Sequence, residues 1–174
     1  MRLRTPTIRP ATSNDVPALA DLAKRTWSDA FGSSVSPEDE AAELERKRSV
    51  TYFDDALQRD TILVAASDDA LLGYVQFGDV NIPGVDVRPG DQELHRLYVE
   101  SAMQGRGLGR RLMSAALEHP RLATAPRIYL TVWEQNVRAL RLYATFGFRK
   151  AGMVSFAIGS EVVEDLLLML DRRG

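Results

Sequence analysis

The tightest constraint on this chain is the run Gln104-Gly105-Arg106-Gly107-Leu108-Gly109, set between a strand-like segment and an amphipathic helix-like one. The segment before it is apolar (Leu94-His95-Arg96-Leu97-Tyr98-Val99) and the one after carries helical spacing (Arg110-Arg111-Leu112-Met113-Ser114-Ala115-Ala116-Leu117). A strand, a glycine-rich turn and a helix N-terminus together make an anion site. The N–H groups of the turn converge on a phosphate, and the helix dipole favours negative charge there. Glycine suits such a turn because a side chain would hold the ligand off the backbone. Arg106, Arg110 and Arg111 add mobile positive charge at the same point. The competing reading is a plain helix-entry turn without a ligand.

Spacing separates the common phosphate loops. A P-loop requires Gly-Lys-Ser/Thr after its spacer, and no lysine follows these glycines. A dinucleotide fingerprint requires G-x-G-x-x-G, and the third glycine here, Gly109, comes one residue early. The turn fits Q-x-x-G-x-G through Gln104, Gly107 and Gly109, a pattern that resembles the acyl-CoA pyrophosphate loop of the GNAT superfamily of N-acetyltransferases. Residues 129–148, with Val132, Asn136, Ala139, Tyr143, Gly147 and Phe148, resemble the second signature of that superfamily. There, a strand ending in V-x-x-x-N feeds a helix with A-x-x-x-Y, closed by G-F. The opening Ile8-Arg9-Pro10-Ala11-Thr12, then Asp15 and Leu19, is similar to the superfamily's first strand and helix start. The W-E-x-N variant at Trp133 and the ending Asp165-Leu166-Leu167-Leu168-Met169 resemble a bacterial branch that includes polyamine acetyltransferases.

Composition bounds the rest. The 174 residues make one domain, 1–174, of 45% hydrophobic and 26% charged residues, which is ordinary for a soluble globular chain. With no cysteine, disulfides, thiolate metal sites and a cysteine nucleophile are excluded. No apolar stretch is long enough to span a bilayer, and residues 1–10 carry no signal-peptide core, so a cytoplasmic location is the default expectation. Residues 101–150 hold nine basic side chains against Glu118 and Glu134, a net +7, leaving −9 elsewhere for an overall charge of −2. A basic middle suits a polyanionic cosubstrate such as acetyl-CoA. The acidic remainder disfavours a nucleic-acid partner and is consistent with a cationic acceptor. Two histidines without a ligand motif predict no metal site.

Periodicity predicts a strand at 7–11, a helix from Val16 through Trp27, a charged helix at 37–48 and a short helical turn at 52–57. A hairpin at 61–66 and 71–77 follows, then a Pro/Gly loop at 81–90 and a strand at 93–99. The phosphate-turn helix covers 107–118, a strand 127–132, a helix 136–146 closed by Gly147, and two last strands 148–158 and 161–170. The order β-α-α-β-β-β-α-β-α-β-β is mixed α/β (α+β), and the resemblance implies a central sheet splayed at the acyl-CoA site.

The resemblance also implies chemistry: acetyl transfer from acetyl-CoA to a primary amine in a ternary complex, without metal. Cofactor contacts fall on Leu97, Tyr98 and Val99, on Gln104, Gly105, Arg106, Gly107, Leu108, Gly109 and Arg110, and on Asn136 and Tyr143. An N–H near Val99 would hold the thioester oxygen as it gains charge. An alkylamine with a pKa of ~10.4 is mostly protonated at neutral pH and needs a base. Glu93 matches the superfamily offset for that base. His95, two residues on and on the same face unless a bulge intervenes, Glu134 and water remain alternatives. Tyr143 matches the acid that protonates the departing thiolate, and Asn136 is a helix cap that also holds the pantetheine arm. Arg138 and Arg141 are further phosphate candidates, with solvated helix charge as the plain alternative. Acceptor choice is expected in residues 13–57, where Trp27 and Tyr52, with Trp133, either wall a pocket or serve as core. The expected acceptor is a small molecule such as a polyamine. Protein N-terminal or lysine acetylation is the rival, and a catalytically weak acyl-CoA sensor is the reading from another class. The resemblance alone implies a homodimer through the C-terminal strands.

Overall fold

The computed structural model describes residues 4–68 and 70–173. Among them, seven strands form one sheet in the order β1-β2-β3-β4-β5-β7-β6. The chain runs β1 (Thr7–Pro10), α1 (Val16–Phe31), α2 (Pro37–Arg48), α3 (Val50–Arg59), β2 (Thr61–Ser67), β3 (Ala70–Gly78) and β4 (Gln92–Val99). It continues through α4 (Leu108–Glu118), α5 (Pro120–Ala123), β5 (Arg127–Val132), α6 (Val137–Thr145), β6 (Arg149–Ile158) and β7 (Glu161–Asp171).

Strand alternation sends neighbouring side chains to opposite faces and so builds two cores. On β2 and β3, Ile62, Val64 and Tyr74 pack with Val16, Leu19, Leu22 and Ala23 of α1 and Phe53 and Ala56 of α3. Leu63, Ala65, Val75 and Phe77 face the other way, onto Leu112, Met113 and Ala116 of α4. The helical spacing read in α1 is the spacing of its buried stripe.

Two helical segments differ from the sequence expectation. The turn expected at 52–57 is a ten-residue helix, α3, because Ser49 caps it by accepting from the Tyr52 N–H at 3.1 Å. The one-turn α5 was not expected. Pro120 starts it, and the His119 Nδ1 accepts from the Arg121 N–H.

Every strand pair is antiparallel except β4–β5, which is parallel and registers only at Gln92↔Ile128 and Glu93↔Tyr129. Beyond residue 93 the two strands part. The sheet is therefore split along one edge of β4, and that split positions the site.

At the start of α1, Asp15 accepts from both terminal nitrogens of Arg9 at 2.7 and 2.9 Å and from the Thr12 N–H at 2.8 Å. The Arg9 guanidinium holds the Asp15 carboxyl down at about 2. A depressed carboxyl stabilises the fold fully above the ordinary aspartate value of ~3.9, and that contribution is lost as pH falls towards 2. Arg9 is 42% exposed, so solvent screens the pair. Asp15→Asn is expected to lower stability by about 1 kcal/mol at pH 7. Urea midpoints of variant and parent should converge as pH falls from 4 towards 2.

Candidate active site

The split opens into a cleft of about 1430 Å³. Its floor is the unpaired edge of β4. The Glu100 N–H bonds back to the Leu72 carbonyl of β3 at 2.9 Å. Backbone groups alternate sides along a strand, so the N–H groups of Leu97 and Val99 point to the open edge. Tyr98 turns its ring the other way, stacked on Tyr74 with centroids 5.8 Å apart.

The glycine-rich turn closes one end. Gly105 and Gly107 have φ of 76° and 80°, the left-handed region that side chains avoid. A Cβ added at either would meet nothing within 4 Å, so the turn borders open space. Gly107 is the N-cap residue of α4, and no side chain caps that helix. Its first N–H groups are therefore free for an anion, beside Gly105, Gly107, Leu108 and Gly109, which all line the cleft. Gln104 also lines it. Its amide donates to the Val99 carbonyl at 3.4 Å and accepts from Arg138 at 3.1 Å, which ties the turn to both β4 and α6.

The arginines of the turn are spread out. Arg106 is exposed and lies outside the cleft lining. Arg110 stacks over Phe146 at 5.7 Å, and Arg111 donates to the Pro6 carbonyl at 2.7 Å. Arg138, on α6, is the guanidinium that lines the cleft beside the turn.

Asn136 caps α6, its Oδ1 accepting from the Ala139 N–H at 3.2 Å. Tyr143 stands two turns along that helix, 6% exposed, its ring edge-on to Phe148 at 5.9 Å. Both residues line the cleft. Burial, with a smaller contribution from Tyr98, pushes the Tyr143 hydroxyl well above the ordinary phenol range. A phenol in that state keeps its proton and can give it to a stronger base.

At the opposite end, Glu93 is 8% exposed. Its Oε2 accepts from the Asn81 N–H at 2.7 Å, and its Oε1 lies 3.3 Å from His95 Nδ1. The register of β3 with β4 skips His95: Gln76 opposes Arg96 and Phe77 opposes Leu94. The bulge does intervene, yet it keeps Glu93 and His95 together. The extra residue restores the face that simple alternation would have changed, so Arg96 and Tyr98 share it too.

Glu134 is exposed and lines the cleft, and Arg141 is also exposed. Trp27 is core at 4% exposure, yet part of it lines the cleft with Phe31, Tyr52 and the exposed Trp133. Sequence reading missed Asp60 and Gln76. Gln76 is buried, and its amide donates to Asp60 Oδ2 at 2.7 Å and to the Tyr52 hydroxyl at 3.0 Å. The one available signal was a polar residue within the apolar strand 70–78.

Residues 17–148 match the acetyltransferase (GNAT) family. The chain belongs to that family. An uncharacterized N-acetyltransferase in the pepI 3′ region of Lactobacillus delbrueckii subsp. lactis is 29% identical over 163 residues, covering 90% of this chain and 92% of the relative. The spermine/spermidine N(1)-acetyltransferase of Bacillus subtilis is 33% identical over 97 residues, 55% of this chain and 64% of its own. The PaiA N-acetyltransferase of Thermoplasma acidophilum, solved with coenzyme A, shares the fold with a TM-score of 0.77 at 19% identity, covering 97% of this chain and 99% of its own. The protein is thus a GNAT N-acetyltransferase, with the mixed sheet that the two sequence signatures implied. Among the described residues, no helix is long and apolar enough to cross a membrane, and no cluster of three metal-ligating side chains occurs.

Proposed function

We propose that the protein moves the acetyl group of acetyl-CoA to a primary amine of a small polycationic acceptor, such as a polyamine, by direct attack in a ternary complex. The observation that carries this reading is the split between β4 and β5. It lines one cleft with an open backbone edge at Leu97 and Val99, an uncapped helix start at Gly107, and the side chains of Glu93 and Tyr143.

The pyrophosphate is assigned to the N–H groups of Gly105 to Gly109 and the first turn of α4, with Arg138 alongside. The pantetheine amides pair with the open edge of β4, and Asn136 holds the arm from α6. Acetyl-CoA supplies the activated acyl group. The Val99 N–H meets the carbonyl oxygen as it gains charge. Glu93 removes the proton from the attacking amine, and Tyr143 returns one to the sulfur.

The relative in Bacillus subtilis acts on spermine and spermidine, which supports the acceptor class. So do the carboxylates across the cleft. Glu134, Glu164 and Asp165 line it, and burial pushes the Asp165 carboxyl up. A bound ammonium would relieve that burial cost.

The deciding experiment is thiol release from acetyl-CoA against polyamines, amino acids, aminoglycosides and N-terminal peptides. Release that depends on polyamine supports the proposal. Release with peptides alone replaces it by protein acetylation. Acetyl-CoA binding without release from any acceptor replaces it by a sensor role. Glu93→Gln is expected to cut turnover by ~10²–10⁴-fold while leaving acetyl-CoA affinity unchanged. Unchanged turnover would pass the base role to His95, Glu134 or water.

A further inference from the structure

One side of the cleft is basic. Lys47 and Arg48 of α2 and Arg96 of β4 line it, beside Trp27 and Tyr52. Arg46, Lys47 and Arg48 share one carboxylate, Glu43, at 2.8, 3.4 and 3.4 Å. Among the described residues, Arg96 has no carboxylate partner: its Nη1 donates to the Lys47 carbonyl at 2.8 Å, and its guanidinium lies over the Tyr52 ring at 4.5 Å.

Those contacts use one N–H group and one face of Arg96. Its Nε and Nη2 make no hydrogen bond among the described residues, and neither is sealed from solvent, so they open onto the cleft that the residue lines. Arg48 reinforces the charge. Burial pushes the Tyr74 hydroxyl up to about 12, and Arg96 and Arg48 both pull it back, which places the two cations around the same buried ring. Nε and Nη2 of a guanidinium present two parallel donors that match the two oxygens of a carboxylate. The phosphates of the cofactor are assigned to the turn after β4, which leaves this fork to the acceptor.

We propose that Arg96 forms a carboxylate subsite on the acceptor side of the cleft, so that the protein also acetylates amines that carry a carboxylate several carbons away. The proposal rests on the reading of Glu93 as the base and goes beyond a polycationic acceptor. Glu93 and Arg96 share one face of β4. They oppose Gly78 and Gln76, two residues apart on β3, which is a separation of ~7 Å along the strand. An amine at Glu93 and a carboxylate at Arg96 therefore belong to an ω-amino acid rather than to the two adjacent groups of an α-amino acid. The N–C bond forms as the C–S bond breaks. Glu93 takes a proton from the amine, Tyr143 gives one to the sulfur, and water resets both groups after release. The carboxylates Glu164 and Asp165 lie on β7 and Glu134 follows β5, so the basic subsite adds an acceptor class without removing the cationic one.

Two acceptors that differ by the carboxylate alone, 6-aminohexanoate and pentylamine, test this by thiol release from acetyl-CoA, with spermidine alongside. In the parent, kcat/KM for 6-aminohexanoate should exceed that for pentylamine by ~10-fold or more, the worth of a charge-assisted pair. Arg96→Met keeps a long apolar stem against Tyr52 and should bring that ratio to about one. Arg96→Lys keeps the charge without the fork and should give a ratio between the two. Calorimetry should show hexanoate, which has no amine to acetylate, binding the parent and not Arg96→Met. A parent ratio near one, spermidine as the sole acceptor of the three, or the parent ratio retained in Arg96→Met would overturn the proposal. If Arg96→Met does not fold, the ratio in Arg96→Lys decides in its place. If the parent releases no thiol with any acceptor, the acetyl-transfer reading fails, while hexanoate binding still decides whether Arg96 holds a carboxylate.

Discussion

Gly107→Glu is expected to weaken acetyl-CoA binding by ~10³-fold or more, equivalent to about 4 kcal/mol. Gly107 has φ of 80°, where any side chain is strained by roughly 1–2 kcal/mol. Space is not the obstacle, because nothing lies within 4 Å of an added Cβ. The new carboxylate would sit at the N-terminus of α4, where the dipole favours an anion and offsets about 0.3–1 kcal/mol of the strain. The variant therefore folds, but with its own anion in the seat assigned to the pyrophosphate. Gly107→Ala adds strain without charge and should lose far less affinity. Calorimetry on both variants separates the two effects. Normal affinity in Gly107→Glu would remove the turn from the cofactor site.

Tyr143→Phe is expected to lower turnover by ~10²–10⁴-fold while sparing acetyl-CoA affinity. Burial keeps the phenol protonated through the neutral and mildly alkaline range, since its pKa is raised above the ordinary value of ~10. The same burial disfavours a thiolate formed beside it, which raises the basicity of the sulfur and lets the phenol donate to it. The phenylalanine ring keeps the packing against Phe148, so the fold should be unaffected. Single-turnover thiol release, with binding measured separately, checks the split. Unchanged turnover with chemistry limiting would remove Tyr143 from the acid role.

Much of the candidate site was legible because its parts are local. Gln104, Gly105, Gly107 and Gly109 follow one strand and precede one helix, and positive φ and an uncapped start are properties of that short segment. Asn136 and Tyr143 sit seven residues apart, which on a helix is two turns of one face. The charges were less legible. Arg110 and Arg111 belong to the phosphate turn by sequence, yet they rest on Phe146 and the Pro6 carbonyl. Their long side chains answer to neighbours that only the folded chain brings near. The helix α3 outruns the expected 52–57 because Val50, Thr51, Gln58 and Arg59 at its two ends are exposed and add nothing to the buried stripe of Phe53 and Ala56.

The sequence by itself determined the strand–turn–helix unit, the second signature at 129–148, the hairpin at 61–66 and 71–77 and the family to which the chain belongs. Those features depend on spacings of two to seven residues, within reach of periodicity and capping. The tertiary structure alone decided the bulge at His95, the extent of the β4–β5 split and the meeting of Asp60, Gly78, Glu93 and His95. Each of these is a matter of register or contact between elements far apart in the chain. Nothing in the residues of one strand states which neighbour it will pair with, or where that pairing stops.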